Sequence, residues 1–375
     1  MQPSETVRLI RNVVVKALLL FAVLNGVFAL LYPVPLGKLS GYNHLFRGRE
    51  RFPFGENPQQ TYNLSLYDVD AMFAAHTLSG AAKAANEYRV LVLGDSSVWG
   101  TLLRPEETLS GQINAAQLTT CGGKQVRAYN LGYPTISLTK DLMLMQEALR
   151  YQPDLILWPM TLESLPRDKQ LASPLAANNP QRVQALIDRY GLANAVDSSA
   201  LVRPNFAQRT VVGQRRVIFD WLRLQLYGVM WSATGVDQLY PADYERAQTD
   251  LEADEQYHTW LPPHLPQDQL ALDVLRAGHA AVGDVPLVMI NEPMLISTGK
   301  NSSVRYNFFY PRWAYDDYRQ ILADLSRQEG WQYVDLWDAV PADQFTNSAI
   351  HLTPQGSALF AQRVGAVIEQ AACHP

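Results

Sequence analysis

Short apolar runs recur along the chain from residue 89 onward and alternate with segments of helical periodicity. The runs cover residues 89–94, 126–132, 154–159, 285–291 and 331–337. Each run is continuous, which is typical of strands covered on both faces of a parallel sheet. Helical segments are predicted near 106–118, 138–150, 266–281, 312–328 and 354–371. This alternation predicts an α/β fold: a doubly wound, flavodoxin-like parallel sheet of about five strands.

One long segment, residues 164–265, interrupts the alternation with helical patterning and no clear strand. An insertion of this size is usually a lid or a helical subdomain. Within it, residues 217–235 are apolar nearly all round, apart from Asp220 and Arg223. Two central charges disfavour a second membrane span. We therefore expect a helix buried in its own domain, with a helix lying on the bilayer surface as the alternative.

The N-terminal region contains the longest apolar run, Val13–Tyr32, which is long enough to cross a hydrocarbon core. Arg8, Arg11 and Lys16 precede or open this run and favour a cytoplasmic N-terminus. We expect an uncleaved, single-pass anchor in the cell membrane, with the α/β domain that follows it outside the cytoplasm. The alternative is a cleaved signal peptide, with Val27 and Ala29 as the small residues before the cut. The predicted organisation is leader and anchor over 1–35, a connector packed on the domain over 36–87, and the α/β domain with its insertion over 88–375.

Composition excludes several classes of function. The chain has 375 residues and a formal net charge of −5, which gives no reason to expect nucleic acid as a partner. Neither a metal-ligand cluster nor a nucleotide fingerprint is visible, so no cofactor is expected. Cys121 and Cys373 are too few for a disulfide framework; they are interpreted as two unpaired thiols, which would pair only in an oxidising compartment. The oligomeric state stays open.

Candidate chemistry begins at LVLGDSSVWG, residues 91–100, where a strand ends at Gly94 and a helix is expected to start. Ligands bind outside the carboxyl ends of strands in open α/β sheets, and Ser96 lies at that edge. The backbone N–H groups of a helix start can stabilise an oxyanion when a serine attacks an acyl carbon. On this stretch alone, Ser96 or Ser97 is equally well explained as a helix cap, or the loop as a phosphate cradle.

A base for Ser96 is predicted at His351, in NSAIHLTPQGSALFA, residues 347–361. His351 precedes Pro354, a residue favoured at the start of a helix, and lies in the loop after the fifth strand. The loop is therefore at the same edge of the sheet as Ser96. A serine with such a histidine nearby is the arrangement used for nucleophilic catalysis.

Three blocks of the sequence resemble the SGNH, or GDSL, hydrolase superfamily. LGDSS resembles the family's first block and implies Ser96 as nucleophile. NLGYP at 130–134 is similar to the second block and implies Gly132 as an oxyanion donor beside the Ser96 N–H. IHLTPQGSALFA resembles the last block and implies His351 as general base. The resemblance covers about 90–160 and 285–371.

Two positions depart from the family pattern. Where the third block usually has an oxyanion Asn, LWPMTLES offers Thr161 or Glu163. Where an Asp usually orients the histidine, the chain has Ser348, so Asn347 is expected to hold the imidazole tautomer.

Further polar side chains are expected at the same edge of the sheet. Asn291 and Glu292 follow the fourth strand and are supporting candidates, although loop hydrogen bonds explain them as well. Asp95 is expected to bond its own loop. Arg305, Tyr306 and Tyr310 are either surface loop residues or the lining of a polar, sugar-sized pocket.

Together these features predict a membrane-anchored serine esterase acting on an acyl ester of an envelope polysaccharide or lipid. An O-acyltransferase using the same Ser96–His351 pair is the near alternative. A catalytically dead carbohydrate-binding or assembly protein is the rival from another class, and the missing Asp and Asn motivate it.

Overall fold

The computed structural model describes residues 5–34, 36–39, 41, 48–52, 54, 68–80, 82–192, 201, 204–234 and 243–373. The sheet has five strands, all paired in parallel, in the order β2-β1-β3-β4-β5. The strands are β1 Glu87–Gly94, β2 Gln125–Gly132, β3 Leu155–Met160, β4 Leu287–Asn291 and β5 Gln332–Asp335. The predicted parallel, doubly wound α/β sheet is confirmed, with each strand within a few residues of its predicted bounds.

Helices cover both faces of this sheet. The numbered helices are α1 Glu5–Leu30, α2 Val69–Ala75, α3 Ser96–Trp99, α4 Leu109–Ala115, α5 Leu138–Ala148, α6 Pro180–Tyr190, α7 Arg215–Thr234, α8 Leu272–Val282, α9 Arg312–Glu329 and α10 Pro354–Cys373; α3 is a single turn. Single helical turns lie at Thr77–Gly80, Pro174–Ala177 and Phe206–Arg209. Short 3-10 turns lie at Leu36–Leu39, Pro105–Glu107, Leu149–Tyr151, Leu162–Ser164, Arg167–Lys169, Gln267–Gln269 and Ala342–Gln344.

Alternate residues of each strand feed two separate cores, because successive side chains point to opposite faces of a sheet. Leu91 and Leu93 of β1 join the core formed with α5, α8 and α9. Val90 and Val92 join the core formed with α4 and α10. Both faces of every central strand are therefore dry, which explains the continuous apolar runs in the sequence.

The helix predicted over 217–235 forms as α7, but the expectation that it is buried is wrong. Phe219 is 61% exposed and Leu226 is 76% exposed. Two side chains of a neighbouring face, Ile218 and Trp221, are partly covered. Within α7, the side chains of residues 224 and 228–234 lie outside the part of the chain that the structure describes.

α1 contains most of the predicted anchor, Val13–Tyr32. It is long and apolar enough to span a membrane by length and composition. At 26 residues it measures about 39 Å, which exceeds a hydrocarbon core of about 30 Å.

The two cysteines are joined, so the interpretation of Cys121 and Cys373 as unpaired thiols is wrong. A disulfide links them with Cα atoms 5.4 Å apart, although 252 positions separate them in sequence. The last turn of α10 is thereby tied to the loop before β2. Sequence distance gave no hint of the pairing, because it depends on α10 packing along α4.

Part of the connector packs behind the turn that carries Ser96. Arg51 is buried and its Nη1 donates to the carbonyls of Trp99 (3.1 Å) and Gly100 (2.9 Å). The Trp99 indole donates in return to the Phe52 carbonyl at 2.7 Å. A cation at the C-terminal end of a helix is electrostatically favourable. These contacts fix the end of α3 from outside the sheet.

Candidate active site

Ser96 opens α3 immediately after β1, as the sequence predicts. Gly94 has φ +143°, and a Cβ there would lie 2.6 Å from Val98 Cγ2, so the turn requires glycine. Asp95 is the N-cap: its Oδ1 accepts the Ser97 N–H at 2.8 Å. Asp95 therefore bonds its own loop, and Ser96 is presented at the carboxyl edge of the sheet.

The structure brings Ser96, His351 and Asn347 into one chain of hydrogen bonds. Ser96 Oγ lies 2.8 Å from His351 Nε2, and His351 Nδ1 lies 2.8 Å from Asn347 Oδ1. The amide oxygen can only accept, so Nδ1 carries the proton and Nε2 is the acceptor for the serine hydroxyl. The loop holding the histidine is closed by a 2.8 Å bond from the Thr346 N–H to the His351 carbonyl. This geometry is that of a serine with a general base and an orienting group.

Burial lowers the pKa of His351 to about 4. A neutral neighbour such as Asn347 gives no charge to offset the desolvation of an imidazolium. The ring is therefore neutral, and able to accept a proton, at all pH values well above 4. Neutrality suits a general base, while the absent carboxylate leaves the imidazolium formed during reaction less stabilised.

The three predicted oxyanion donors differ in the hydrogen bonds that they already make. The Ser96 N–H has no hydrogen-bond partner among the described residues. The Gly132 N–H donates to Asn130 Oδ1 at 3.0 Å, and the register of the sheet places Gly132 beside Gly94. Thr161 is buried, and its Oγ1 pairs with the Tyr310 hydroxyl at 2.9 Å. Ser96 is thus the freest of the three donors.

A buried polar cluster lies behind the Ser96 turn. The Ser97 hydroxyl donates to Glu292 Oε2, whose side chain is 1% exposed. The fully buried Lys140 Nζ donates to the Gly94 carbonyl at 2.6 Å and lies 2.8 Å from Asp141 Oδ1. Both ends of the Ser96 turn are therefore held by charged or acidic side chains that solvent does not reach. Sequence reasoning missed Lys140, because nothing in SLTKD separates it from a surface lysine.

The carboxyl groups of this cluster resist ionisation. Burial raises the pKa of Glu292 well above its ordinary value, and the nearby Asp95 carboxyl raises it further. Burial likewise raises the pKa of Asp95 and of Asp141. Like charges that share a dry site cannot all ionise together. Of the three, Glu292 is the carboxyl whose pKa is raised well above its ordinary value.

Asn291, the other candidate after β4, bonds within the core. Its amide donates to Asp335 Oδ1 at 2.8 Å, and its oxygen accepts from the hydroxyls of Tyr315 (2.9 Å) and Tyr318 (3.2 Å). The structure therefore places Asn291 in loop and helix packing, away from the Ser96–His351 pair.

A cavity of about 360 Å³ opens at the same edge of the sheet. Its lining comes from the loops that follow β3 and β4 and from the end of the insertion; the residues are Glu163, Asp254, Gln256, Tyr257, His258, Arg305, Phe308 and Phe309. β3 and β4 lie between β1 and β5. Ser96 follows β1 and His351 follows β5. Their hydrogen bond therefore spans the carboxyl edge of the sheet, from which the loops after β3 and β4 also extend.

Hydrogen bonds make the cavity wall rigid. Glu163 Oε2 accepts from the Tyr257 hydroxyl at 2.9 Å and faces His258 Nε2 at 3.0 Å. Burial alone would raise the pKa of Glu163, but these two partners more than offset it and the pKa is lowered. Arg305 donates to the carbonyls of Asp254 and Phe308 at 2.7 and 3.0 Å. Of the three loop residues predicted from sequence, Arg305 lines the cavity, while Tyr306 and Tyr310 are buried.

Comparison with known proteins finds likeness in structure alone. Neither a family model nor a curated protein sequence matches the chain. Among solved structures, Est24, a carbohydrate acetylesterase from Sinorhizobium meliloti, has 12% identity and a TM-score of 0.34, covering 75% of this chain and 97% of its own. The M. smegmatis aryl esterase has 11% identity and a TM-score of 0.34, covering 76% of this chain and 99% of its own. In its three sequence blocks, the chain resembles the SGNH, or GDSL, hydrolases.

Proposed function

We propose that the chain is a membrane-anchored serine esterase of SGNH type. The observation that carries the proposal is the unbroken hydrogen-bond chain from Ser96 through His351 to Asn347, with 2.8 Å at each step. Three side chains from two distant loops meet in the order that acyl transfer to a serine needs. A helix cap or a phosphate cradle would need no histidine acceptor on the Ser96 hydroxyl.

In the proposed reaction, Ser96 Oγ attacks the ester carbonyl while His351 Nε2 takes the hydroxyl proton. The Ser96 N–H, joined by the Gly132 N–H when Asn130 yields it, stabilises the oxyanion. His351 then gives its proton to the departing alcohol, leaving an acyl group on Ser96. Water, deprotonated by the same nitrogen, attacks the acyl-enzyme, and the carboxylic acid leaves with the serine hydroxyl restored.

The substrate class we propose is an acyl ester on an envelope polysaccharide or lipid. α1 supports anchoring, and the Cys121–Cys373 disulfide supports an oxidising compartment outside the cytoplasm. The cavity supports a sugar, because its lining combines Glu163 and His258, which can bond hydroxyl groups, with Phe308 and Phe309, which can pack against a ring face. The cavity also favours a second candidate, O-acyl transfer, since a bound sugar hydroxyl would compete with water for the acyl-enzyme.

The first test is labelling of the full chain in detergent with a fluorophosphonate probe. We expect the native chain to be labelled and Ser96→Ala and His351→Ala to be unlabelled. His264→Ala is the matched control, because this imidazole is 78% exposed and its described partner is Asp317. An unlabelled native chain, folded by circular dichroism, would contradict the esterase and favour the non-catalytic, sugar-binding alternative. In a separate assay, the native chain is acylated on Ser96 by an activated acyl ester, which releases its alcohol; faster loss of that acyl group to added glycan than to water would favour transfer.

A further inference from the structure

Exposed large apolar side chains are concentrated in one segment outside α1. Beyond residues 5–31, ten are exposed among the described residues, and seven of them lie within 206–227. The seven are Phe206, Val212, Val217, Phe219, Leu222, Leu226 and Tyr227. The other three, Leu39, Tyr244 and Leu261, are scattered. Contiguous apolar surface of this kind marks a contact with a partner or a membrane.

Three of these side chains form a stripe along α7. Phe219, Leu222 and Leu226 are spaced i, i+3 and i+7, so they share one face of the helix. Ile218, Trp221 and Gln225 lie on the neighbouring face of the helix and are partly covered. α7 is thus held to the protein by one face and presents the Phe219–Leu222–Leu226 stripe outward.

The segment before α7 touches α1 at a depth that the anchor fixes. Asn25 Oδ1 accepts the Val212 N–H at 3.2 Å. Asn25 lies 14 residues after Arg11, or about 21 Å along the helix. With Arg11 at the inner boundary of a core about 30 Å thick, Val212 lies about 9 Å below the outer boundary. Interfacial helices bury their apolar faces to about 5–10 Å, so this depth fits one.

Charge on the same segment suits lipid headgroups. Residues 206–227 carry four arginines, Arg209, Arg215, Arg216 and Arg223, against the single acid Asp220, while the whole chain has a net charge of −5. The Arg209 guanidinium lies 5.8 Å from the ring of Tyr32, just after α1, where interfacial aromatic residues are favoured. Basic clusters beside a span are attracted to anionic lipids.

We propose that residues 206–227 lie in the outer interface of an anionic bilayer, with the Phe219–Leu222–Leu226 stripe in lipid. This second attachment rests on the proposed anchoring by α1. It holds the catalytic domain against the membrane surface, whereas a single helix followed by a flexible connector would let the domain swing away. Ester groups carried close to the lipid surface are then within reach of the site.

The test uses the full chain in nanodiscs of phosphatidylcholine and phosphatidylglycerol, with a fluorescent probe on one introduced cysteine. Leu226→Cys reports the stripe, and Leu261→Cys is the matched control, since the two side chains are 76% and 65% exposed. Leu20→Cys, within α1, reports the anchor. We expect lipids spin-labelled near the headgroup to quench the Leu226 probe at least threefold more than the Leu261 probe. Mid-chain spin labels should quench the Leu20 probe most.

The outcomes separate this inference from the anchor. Quenching at Leu20 with none at Leu226 would overturn the interfacial stripe, leave the anchor standing, and point to a protein partner for the stripe. No quenching at Leu20 would overturn the anchor and the stripe with it, while labelling of Ser96 would still test the esterase. Equal quenching at all three sites would contradict a specific face. A second variant, Arg215→Gln with Arg216→Gln, should reduce the Leu226 signal in the anionic nanodiscs and leave it unchanged in pure phosphatidylcholine.

Discussion

Asn347 presents a neutral amide to His351, and a carboxylate in its place would change how labelling of Ser96 depends on pH. In the native chain the pKa of His351 is lowered to about 4 by burial, so the neutral base persists down to that pH. Fluorophosphonate labelling of Ser96 should therefore rise as pH increases through about 4 and stay level up to neutral pH. Asn347→Asp would place a carboxylate oxygen where the amide oxygen now lies, 2.8 Å from Nδ1.

The size of the shift follows from the charges. Two unit charges about 4 Å apart interact by roughly 1 kcal/mol in water and roughly 4 kcal/mol at the effective dielectric of a protein surface. At about 1.4 kcal/mol per pKa unit, this range corresponds to roughly one to three units. Because Asn347 is exposed, we expect a rise of about one to two units. The acid limb of labelling should move from about 4 in the native chain to roughly 5 or 6 in Asn347→Asp.

The assay is the second-order labelling rate from pH 3.5 to 9 at constant ionic strength, with circular dichroism to exclude unfolding. At neutral pH, Asn347→Asp should react faster than the native chain by up to about tenfold per unit of pKa gained. Asn347→Ala is the control without a charge: its limb should stay near that of the native chain, while its rate falls because the tautomer is no longer held. A native limb near 6.5, or a limb unmoved by Asn347→Asp, would refute the reasoning.

Three further predictions concern the supports of the site. Replacing both Cys121 and Cys373 by Ser should lower the free energy of unfolding by up to about 5 kcal/mol, measured in urea against the oxidised chain, because the bridge closes a very long loop; an unchanged midpoint would mean that the unfolded chain is not constrained. Gly132→Ala should abolish labelling and lower Tm, since its Cβ would lie 2.4 Å from the Trp99 N, whereas Gly122→Ala, with 3.8 Å to its nearest neighbour, should change neither. Glu292→Gln should flatten the pH dependence of stability. The pKa of Glu292, which lies among Asp95, Asp141 and Lys140, is raised, so the stability of the native chain falls as pH rises above about 5. An equal loss of stability from pH 5 to 8 in both proteins would exclude Glu292 as the origin of this pH dependence.

The sheet and the meeting of Ser96 with His351 were predictable from the sequence for a common physical reason. Strands buried on both faces must be apolar throughout, so β1 to β5 stand out as continuous runs. Parallel strands place their carboxyl ends at one edge, which is why Ser96 after β1 and His351 after β5 were expected to meet. The order of the strands and the 2.8 Å contact between the pair agree with that expectation.

The remaining features depend on contacts between parts of the chain that no local pattern links. The Cys121–Cys373 bond needs the last turn of α10 to reach the loop before β2. Lys140 looks like an ordinary helix residue until α5 packs its amine against the Gly94 carbonyl. The outward stripe of α7 has the same apolar composition as a buried helix. Composition alone does not say whether lipid or protein lies opposite the stripe.

Each cysteine of the disulfide follows one member of the Ser96–His351 pair along the chain. Cys121 comes 25 residues after Ser96, and Cys373 comes 22 residues after His351, at the end of the last helix. In synthesis from the N-terminus, Ser96 is therefore made 255 residues before His351. Covalent closure waits for the final helix and for an oxidant that the cytoplasm does not offer. Under the proposed export, the Ser96–His351 pair and the bond that ties α10 to the domain are therefore both completed only when the end of the chain has arrived.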